Sequence, residues 1–315
     1  MQVIDAEAVA RALPMARLIA ALRAQFAAGC EVPARQVHEI TRPDGGMLTS
    51  LVMAAWQPGR YYGLKCINIA PGNARLGLPG LHASYLLYSA DTGVPLALID
   101  GDQLTARRTA AASALAAGWL AREDARHLLV VGAGRVARLL PEAYAAVRPI
   151  DRVSVWARSA DKAQALAREW RGRGLNASAV AELEPAVRAA DIVSCATLST
   201  TPLVQGRWLQ PGSHLDLIGG FTPAMREADD DCLRAAAWYV DTEEALRKSG
   251  DLVGPLSRGV VAEGDLRGTL AALARGDAEG RRAAAERTVF KSVGTALEDL
   301  AAAILVYESL DGAAD

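Results

Sequence analysis

Two groups of residues in this 315-residue chain have the types and spacing for chemistry. The first is Gly132-Ala133-Gly134-Arg135-Val136-Ala137, a G-x-G-x-x-A run. It directly follows the apolar stretch 128–131 and precedes a helical pattern. Glycine at 132 permits a tight turn, and glycine at 134 lets a pyrophosphate approach the backbone. Ala137 allows close helix–strand packing, while the helix N-terminus favours phosphate charge. A glycine-rich βα turn without a ligand shares these six residues, but the strand, the spacing and the helix together favour a dinucleotide. The next strand ends in VSVWARSADK, where the acid that binds an unphosphorylated ribose is missing. Arg158 and Ser159 stand there instead. A guanidinium stacks on adenine and pairs with a 2′-phosphate, and a hydroxyl adds a hydrogen bond, so NADP(H) is the expected cofactor and NAD(H) the alternative. Ser159 also suits the N-cap of the helix that starts near Asp161.

The second group is cationic. Arg42 precedes the turn Pro43-Asp44-Gly45-Gly46, Lys65 sits in YYGLKCINIAPGN, and Arg108 in LTARRTAA. A lysine in an apolar strand is costly to bury and needs an anionic partner. Two arginines can clamp a carboxylate bidentately. Taken alone, each cation reads better as a snorkelling surface residue. Cys66 adjoins Lys65 but points to the opposite face of its strand. His38, His82, His127 and His214 form no HExxH or i, i+4 pair, so no metal site is expected. There is no G-x-S-x-G elbow, and Asp229-Asp230-Asp231 reads as a solvated loop or helix start.

Elements that could position these residues are legible in the periodicity. Residues 14–28 predict a helix, with Pro14 in its first turn, Leu18, Leu22 and Phe26 on one face, and Gly29 as its stop. Between about 31 and 100 the runs MLTSLVMAAW, YYGLKCINIA, ASYLLYSA and VPLALID predict strands of a mixed, largely antiparallel sheet. Asp91-Thr92-Gly93 would join the last two as a hairpin. From about 104 a long Ala-rich helix, LTARRTAAASALAAGWLA, gives way to alternating strands and helices. HLLVVGAG, RVSVWARS, DIVSCAT, SHLDLIG and WYVDT are the strands, which argues for a doubly wound parallel sheet. GTALEDLAAAILVYESL closes the chain as a helix with Leu297, Leu300 and Ile304 on one face.

Composition narrows the function. At roughly 100–200 residues per domain the length predicts about two domains. Hydrophobic residues make up 51% and charged residues 22%, enough for a sizeable core and against a disordered chain. The net charge of -2 argues against nucleic-acid binding by phosphate neutralisation, and no polybasic segment seeks anionic lipid. Cys30, Cys66, Cys195 and Cys232 form no CxxC pair, which fits a reducing compartment. The N-terminal stretch lacks a basic n-region and no apolar run reaches a membrane span, so a cytoplasmic location is expected.

The segments YYGLKCINIAPGNARLGLPG, DTGVPLALIDGDQLTARRTAAASALAA, VVGAGRVARLLPEA and TVFKSVGTALEDLAAA resemble the ornithine cyclodeaminase/mu-crystallin family. The resemblance runs in order through nearly the whole chain. It implies an α/β fold in which a Rossmann-type doubly wound parallel sheet, residues 107–295, is inserted in a discontinuous α+β domain. That domain, residues 1–106 and 296–315, would bind substrate and form a homodimer. It also implies NAD(P)(H) chemistry on a small imino or amino acid. Arg42, Lys65 and Arg108 match the family's carboxylate-binding and catalytic set, with Lys65 as the catalytic residue. Thr109, Thr197 and Ser292-Val293-Gly294 match cofactor contacts. The departures matter as well. Cyclodeaminases carry an Asp in a G-A-D-x-P-G segment; here Gly219-Gly220-Phe221-Thr222-Pro223 puts Phe221 in that slot. They also carry a Glu in the strand matching 49–53, where this chain has Leu51 and apolar neighbours. A phenyl ring cannot hold an ammonium or accept its proton, but it packs on an apolar ring. Asp216, one strand earlier, is not expected to replace the missing acid. The expected activity is reduction of a cyclic ketimine such as Δ1-pyrroline-2-carboxylate or Δ1-piperideine-2-carboxylate. The alternatives are an ornithine cyclodeaminase, an alanine dehydrogenase-like enzyme and a non-catalytic binding protein of the mu-crystallin kind.

Overall fold

The computed structural model describes residues 1–311 apart from Asp44 and Ala235. Asp44 of the turn after Arg42 and residues 312–315 of the expected first domain therefore lie outside the described residues.

The chain opens with strand β1 (Gln2–Ile4) and helices α1 (Ala6–Ala12) and α2 (Met15–Ala28). Asp5 caps α1, its carboxylate accepting from Ala8 N at 2.8 Å. Pro14 is the N-cap of α2, and Gly29, at φ 76, ends it. Leu18, Leu22 and Phe26 are buried, as their spacing requires. Strands β2 (Gln36–Thr41), β3 (Met47–Trp56), β4 (Tyr61–Ile69), β5 (Leu81–Ser89) and β6 (Pro95–Asp100) follow. They form one sheet in the order β1-β6-β5-β4-β3-β2, antiparallel except where β1 runs parallel to β6. The turn 91–94 joins β5 and β6 as the expected hairpin. β1 has three residues, too few to show a period of two.

Helix α3 (Gly101–Leu120) starts three residues before its sequence-predicted onset. Asp100, the last residue of β6, accepts from Gln103 N at 2.7 Å and so fastens the strand end to the helix start. Ala110, Ala111, Ala112, Ala114, Ala116 and Ala117 are all buried. A helix covered on every side needs side chains this small.

The second half alternates as expected. Its elements are β7 (His127–Val131), α4 (Arg135–Ala145), β8 (Arg152–Trp156), α5 (Ala160–Gly172), β9 (Ala177–Ala179), α6 (Leu183–Ala189), β10 (Ile192–Cys195) and β11 (His214–Leu217). Then come α7 (Asp231–Arg234), β12 (Ala237–Val240), α8 (Ala245–Lys248), α9 (Gly250–Ser257), β13 (Leu266–Thr269), α10 (Leu270–Arg275) and β14 (Thr288–Lys291). The eight strands form a parallel sheet in the order β13-β12-β14-β11-β10-β7-β8-β9. β7, β10, β11 and β14 are buried along their whole length, and β7 accordingly reads as an apolar run without alternation. Helix α11 (Ala296–Asp311) follows β14 and packs against α2, β3, β4 and β5.

The chain divides into two compact units. One is Met1–Arg108 together with the chain from Thr295; the other is Thr109–Gly294, inserted between those segments. The first junction falls inside α3, two residues beyond the expected boundary at 106/107, and the second one residue before that at 295/296.

Candidate active site

Alternation along β4 turns Gly63, Lys65 and Ile67 to the buried face and leaves Leu64 and Cys66 on the other. Lys65 is fully buried. Its Nζ lies 2.5 Å from Asp299 Oδ2, and Asp299, on α11, is equally buried. Arg108, near the end of the first unit, donates from Nε to Asp299 Oδ1 at 2.8 Å and from Nη1 to Glu298 Oε2 at 2.6 Å. Lys65 and Arg108 are thus brought together on one carboxylate. Two cations and two anions balance in this buried group, the condition under which buried charge is tolerated. Burial pulls the Lys65 ammonium down to about 8; the Asp299 charge pulls it up and Arg108 pushes it down again. Burial acts on Asp299 in the opposite sense, but Arg108 and Lys65 outweigh it and hold the carboxyl below its usual range. Lys65 therefore sits close to neutrality and can give up a proton.

The anionic partner expected for Lys65 belongs to the chain itself. Glu298 and Asp299 were missed in the sequence although a signal was present: two adjacent acids inside the apolar helix ALEDLAAAILV. Tyr85 packs beside the group, and burial with the Asp299 charge raises its phenol well above the usual value. Gly63 makes room for this ring, since any side chain there would collide with the Tyr85 hydroxyl. Arg42 is held by a different element, the β2–β3 turn, where its N–H donates to the Gly46 carbonyl at 2.8 Å. Its guanidinium stands against Gly72, where an added Cβ would lie 3.3 Å from Nη1. Arg107 is structural: its Nε donates to the Leu13 carbonyl at 2.8 Å.

In the inserted unit, Gly132 to Gly134 form the turn from β7 to α4, and Arg135 and Val136 open the helix. Gly132 has φ 125, and an added Cβ would stand 2.5 Å from the Ala196 carbonyl oxygen. Both facts require glycine. At Gly134 an added Cβ would meet nothing within 4 Å. Gly134 is the N-cap of α4 and offers no side-chain cap, so the first-turn N–H groups face an open cradle. This is the fit a pyrophosphate needs. Ala133 and Val136 are half-buried, Arg135 is exposed, and Ala137 is fully buried against the sheet. Arg158 and Ser159, after β8, are exposed; Ser159 caps α5 by accepting from Lys162 N at 3.4 Å. Thr109 is half-buried in α3.

The carboxyl ends of the central strands are tied by buried acids. Thr197, after β10, donates from N (2.6 Å) and Oγ1 (2.8 Å) to Glu227 Oε1. Val293 N and Gly294 N, after β14, donate to Asp241 Oδ2 at 2.8 and 2.6 Å, and Ser292 N donates to the Leu217 carbonyl. Phe221 is half-buried in the loop after β11. Asp216 does not face a substrate: it accepts from Ser113 (3.1 Å), Tyr144 (2.8 Å) and Ser194 (2.5 Å) in the interior of the unit. Burial pushes its carboxyl up to about 6, against those three donors. Among the described residues, no three His, Cys, Asp or Glu side chains gather as a metal site, and no helix is long and apolar enough to cross a membrane.

A doubly wound parallel sheet with a bare glycine cradle at its first βα turn, in a chain that also carries a buried Lys–Asp–Arg set, defines a dinucleotide-dependent oxidoreductase. The comparisons give the family. The model of the ornithine cyclodeaminase/mu-crystallin family matches residues 2–314, and the chain belongs to that family. It is 41% identical over 288 residues to the Δ1-pyrroline-2-carboxylate reductase of Paracoccus denitrificans, covering 90% of each chain. Among solved structures it is similar to the Thermococcus litoralis Δ1-pyrroline-2-carboxylate reductase in complex with NADH and L-proline. There the TM-score is 0.93, with 32% identity over 99% of this chain and 98% of that one. An archaeal alanine dehydrogenase dimer with bound NAD gives a TM-score of 0.91 and 30% identity, over 100% and 97% of the two chains. The protein is an NAD(P)-dependent oxidoreductase of the class that acts on CH–NH or C=N bonds.

Proposed function

We propose that the protein reduces cyclic ketimines, Δ1-pyrroline-2-carboxylate to L-proline and Δ1-piperideine-2-carboxylate to L-pipecolate, with NADPH preferred over NADH. The observation that carries this reading is the buried Lys65–Asp299–Arg108 set: a proton donor near neutrality beside a guanidinium, with Phe221 in place of the cyclodeaminase acid. The nicotinamide supplies a hydride to the imine carbon when it is bound. Arg42 and Arg108 bind the substrate carboxylate. Lys65 gives its proton to the imine nitrogen as the C=N bond becomes CH–NH, and Asp299 holds the Lys65 amine in place through the transfer. Phe221 offers an apolar ring face suited to a five- or six-membered ring. Gly132 to Val136 hold the pyrophosphate, with Thr109, Thr197 and Ser292 to Gly294 as the further cofactor contacts. Arg158 and Ser159 receive the 2′-phosphate.

A homodimer is part of the reading. Strand β2 is the edge of its sheet and is exposed at every position, Val37 and Ile40 included, and such an edge calls for cover. Light scattering on the purified protein tests it, and a monomer at working concentration counts against it.

The activity test is NADPH consumption with the two ketimines, run beside ammonia release from L-ornithine and NADH consumption with pyruvate plus ammonia. Turnover confined to the ketimines supports the proposal. Turnover confined to ornithine or to pyruvate refutes it.

A further inference from the structure

We infer that Glu227 is a positioning residue whose carboxylate shapes the dinucleotide site by tying the two strand ends that border it, so that cofactor binding depends on its protonation. The inference rests on the reading that NAD(P)(H) binds at the glycine cradle. Glu227 is fully buried and belongs to no helix or strand. Its Oε1 accepts from Thr197 N and Oγ1, and its Oε2 accepts from Gly219 N at 2.7 Å. One carboxylate therefore fastens the chain after β10 to the chain after β11. Thr197 in turn abuts the cradle: a Cβ on Gly132 would lie 2.5 Å from the Ala196 carbonyl and 3.4 Å from Thr197 Cγ2. The carboxyl ends of parallel strands are where doubly wound sheets take ligands. A change at Glu227 therefore reaches the pyrophosphate turn through two adjacent residues.

A second layer fixes Glu227 itself. Its backbone N–H donates to Asp251 Oδ1 at 2.7 Å, and Asp251 Oδ2 lies 3.2 Å from Lys291 Nζ. Asp251 comes from α9 and Lys291 from the end of β14, and both are buried. Gly220 fits against this pair only because it lacks a side chain; a Cβ would stand 2.5 Å from Asp251 Oδ2. The charged and titratable groups around Glu227 are thus Asp251 and Lys291, with the Cys195 thiol of β10, whose own raised value owes part to Glu227. Lys291 also acts on Asp216 and Asp241.

The observed geometry needs the carboxylate. Both oxygens accept N–H donors: a proton on Oε2 would face the Gly219 N–H, and a proton on Oε1 is accommodated only if the Thr197 hydroxyl turns from donor to acceptor, so protonation breaks or remakes a bond of the tie. Yet burial pushes the Glu227 carboxyl up to about 7; Lys291 opposes this, Asp251 adds to it, and the Thr197 donors oppose it. The tied form is complete above that value and is lost as pH falls through it.

The test is the Kd of NADH, followed by quenching of protein fluorescence, from about one pH unit below to one above the Glu227 value. NADH is used because the 2′-phosphate of NADPH titrates in the same range. The wild type should bind several-fold more tightly at the upper end. Glu227→Gln keeps the shape but turns an N–H toward Gly219 N–H. It should bind about tenfold more weakly at the upper end, with the pH dependence flattened. Thr197→Val deletes one of the three bonds and should weaken binding less while keeping the pH dependence. Circular dichroism of each variant separates lost binding from lost folding, and the wild-type arm decides even if Glu227→Gln does not fold. NADH binding that ignores pH in the wild type overturns the inference alone. Failure to bind either NADH or NADPH at any pH overturns the cofactor reading and the inference with it.

Discussion

Lys65 owes its charge state to two opposed effects. Burial favours the neutral amine, and Asp299 at 2.5 Å favours the ammonium; the balance leaves the group at about 8 instead of the usual value near 10.5. A proton donor of this kind is charged below about pH 8 and spent above it. Ketimine reduction should therefore fall as pH rises through that value, read from kcat against pH at saturating cofactor. Lys65→Ala should lower kcat by about 10²–10⁴-fold, the usual worth of an assisted proton transfer, with NADPH affinity little changed. Near-normal turnover would remove Lys65 from the mechanism. Asp299→Asn tests the partner. Losing the anion removes the influence that raises Lys65, so the alkaline limb should move to lower pH. The variant should also lose roughly 3–5 kcal/mol of stability, because Arg108 and Lys65 are left buried with less negative charge. An unmoved alkaline limb in a folded variant would show that Asp299 does not tune Lys65.

At the scale of elements, the β8–α5 turn is where the proposed preference for NADPH is tested. Its two exposed residues differ in what they have to do in the protein alone. Ser159 already has a structural task as the cap of α5, whereas Arg158 is an exposed cation just beyond the strand end. Arg158→Ala should therefore raise KM for NADPH while leaving that for NADH near its starting value, with the fold intact. Equal kcat/KM for both cofactors in the unaltered protein would end the argument for a 2′-phosphate site here. The same turn shows what pattern reading can reach. The glycine spacing, the buried run of β7 and the Ser159 cap were legible because each is a local rule. β9, β13 and β14 were not: β9 has only three residues, and LRGT and TVFK each carry a basic residue inside four positions.

For the whole molecule the question is which C–N chemistry the chain performs. Cyclodeamination moves protons on two amino groups and expels ammonia, which calls for carboxylates facing the substrate. The resemblance to family cyclodeaminases sets Phe221 and Leu51 against the acids of those enzymes, and Asp216 is committed to Ser113, Tyr144 and Ser194. L-Ornithine should accordingly yield little or no ammonia. Phe221→Asp should weaken ketimine reduction, since an ionised carboxylate beside an apolar ring is poorly accommodated. It should not create a cyclodeaminase, because the strand Glu is still absent. Conversion of ornithine to proline by the unaltered protein, measured as ammonia release, would show that another group supplies the missing base.

The sequence alone determined the Rossmann-type alternation, the glycine cradle, the α+β texture of the N-terminal third and the three cations Arg42, Lys65 and Arg108. The alternation, the cradle and the texture rest on spacing along the chain, which the sequence records directly, whereas the three cations were singled out by the resemblance to the family. The partners of the cations were decided only by tertiary structure. Asp299 lies 234 positions after Lys65 in the chain, and no local period links a strand near the start to a helix at the end. Glu227 is likewise a loop residue in the sequence, one acid among several in READDD. Folding buries it against the ends of β10 and β11 and gives it three donors. Burial and long-range pairing set the charge state of an acid or a lysine, and neither can be read from its neighbours in the chain.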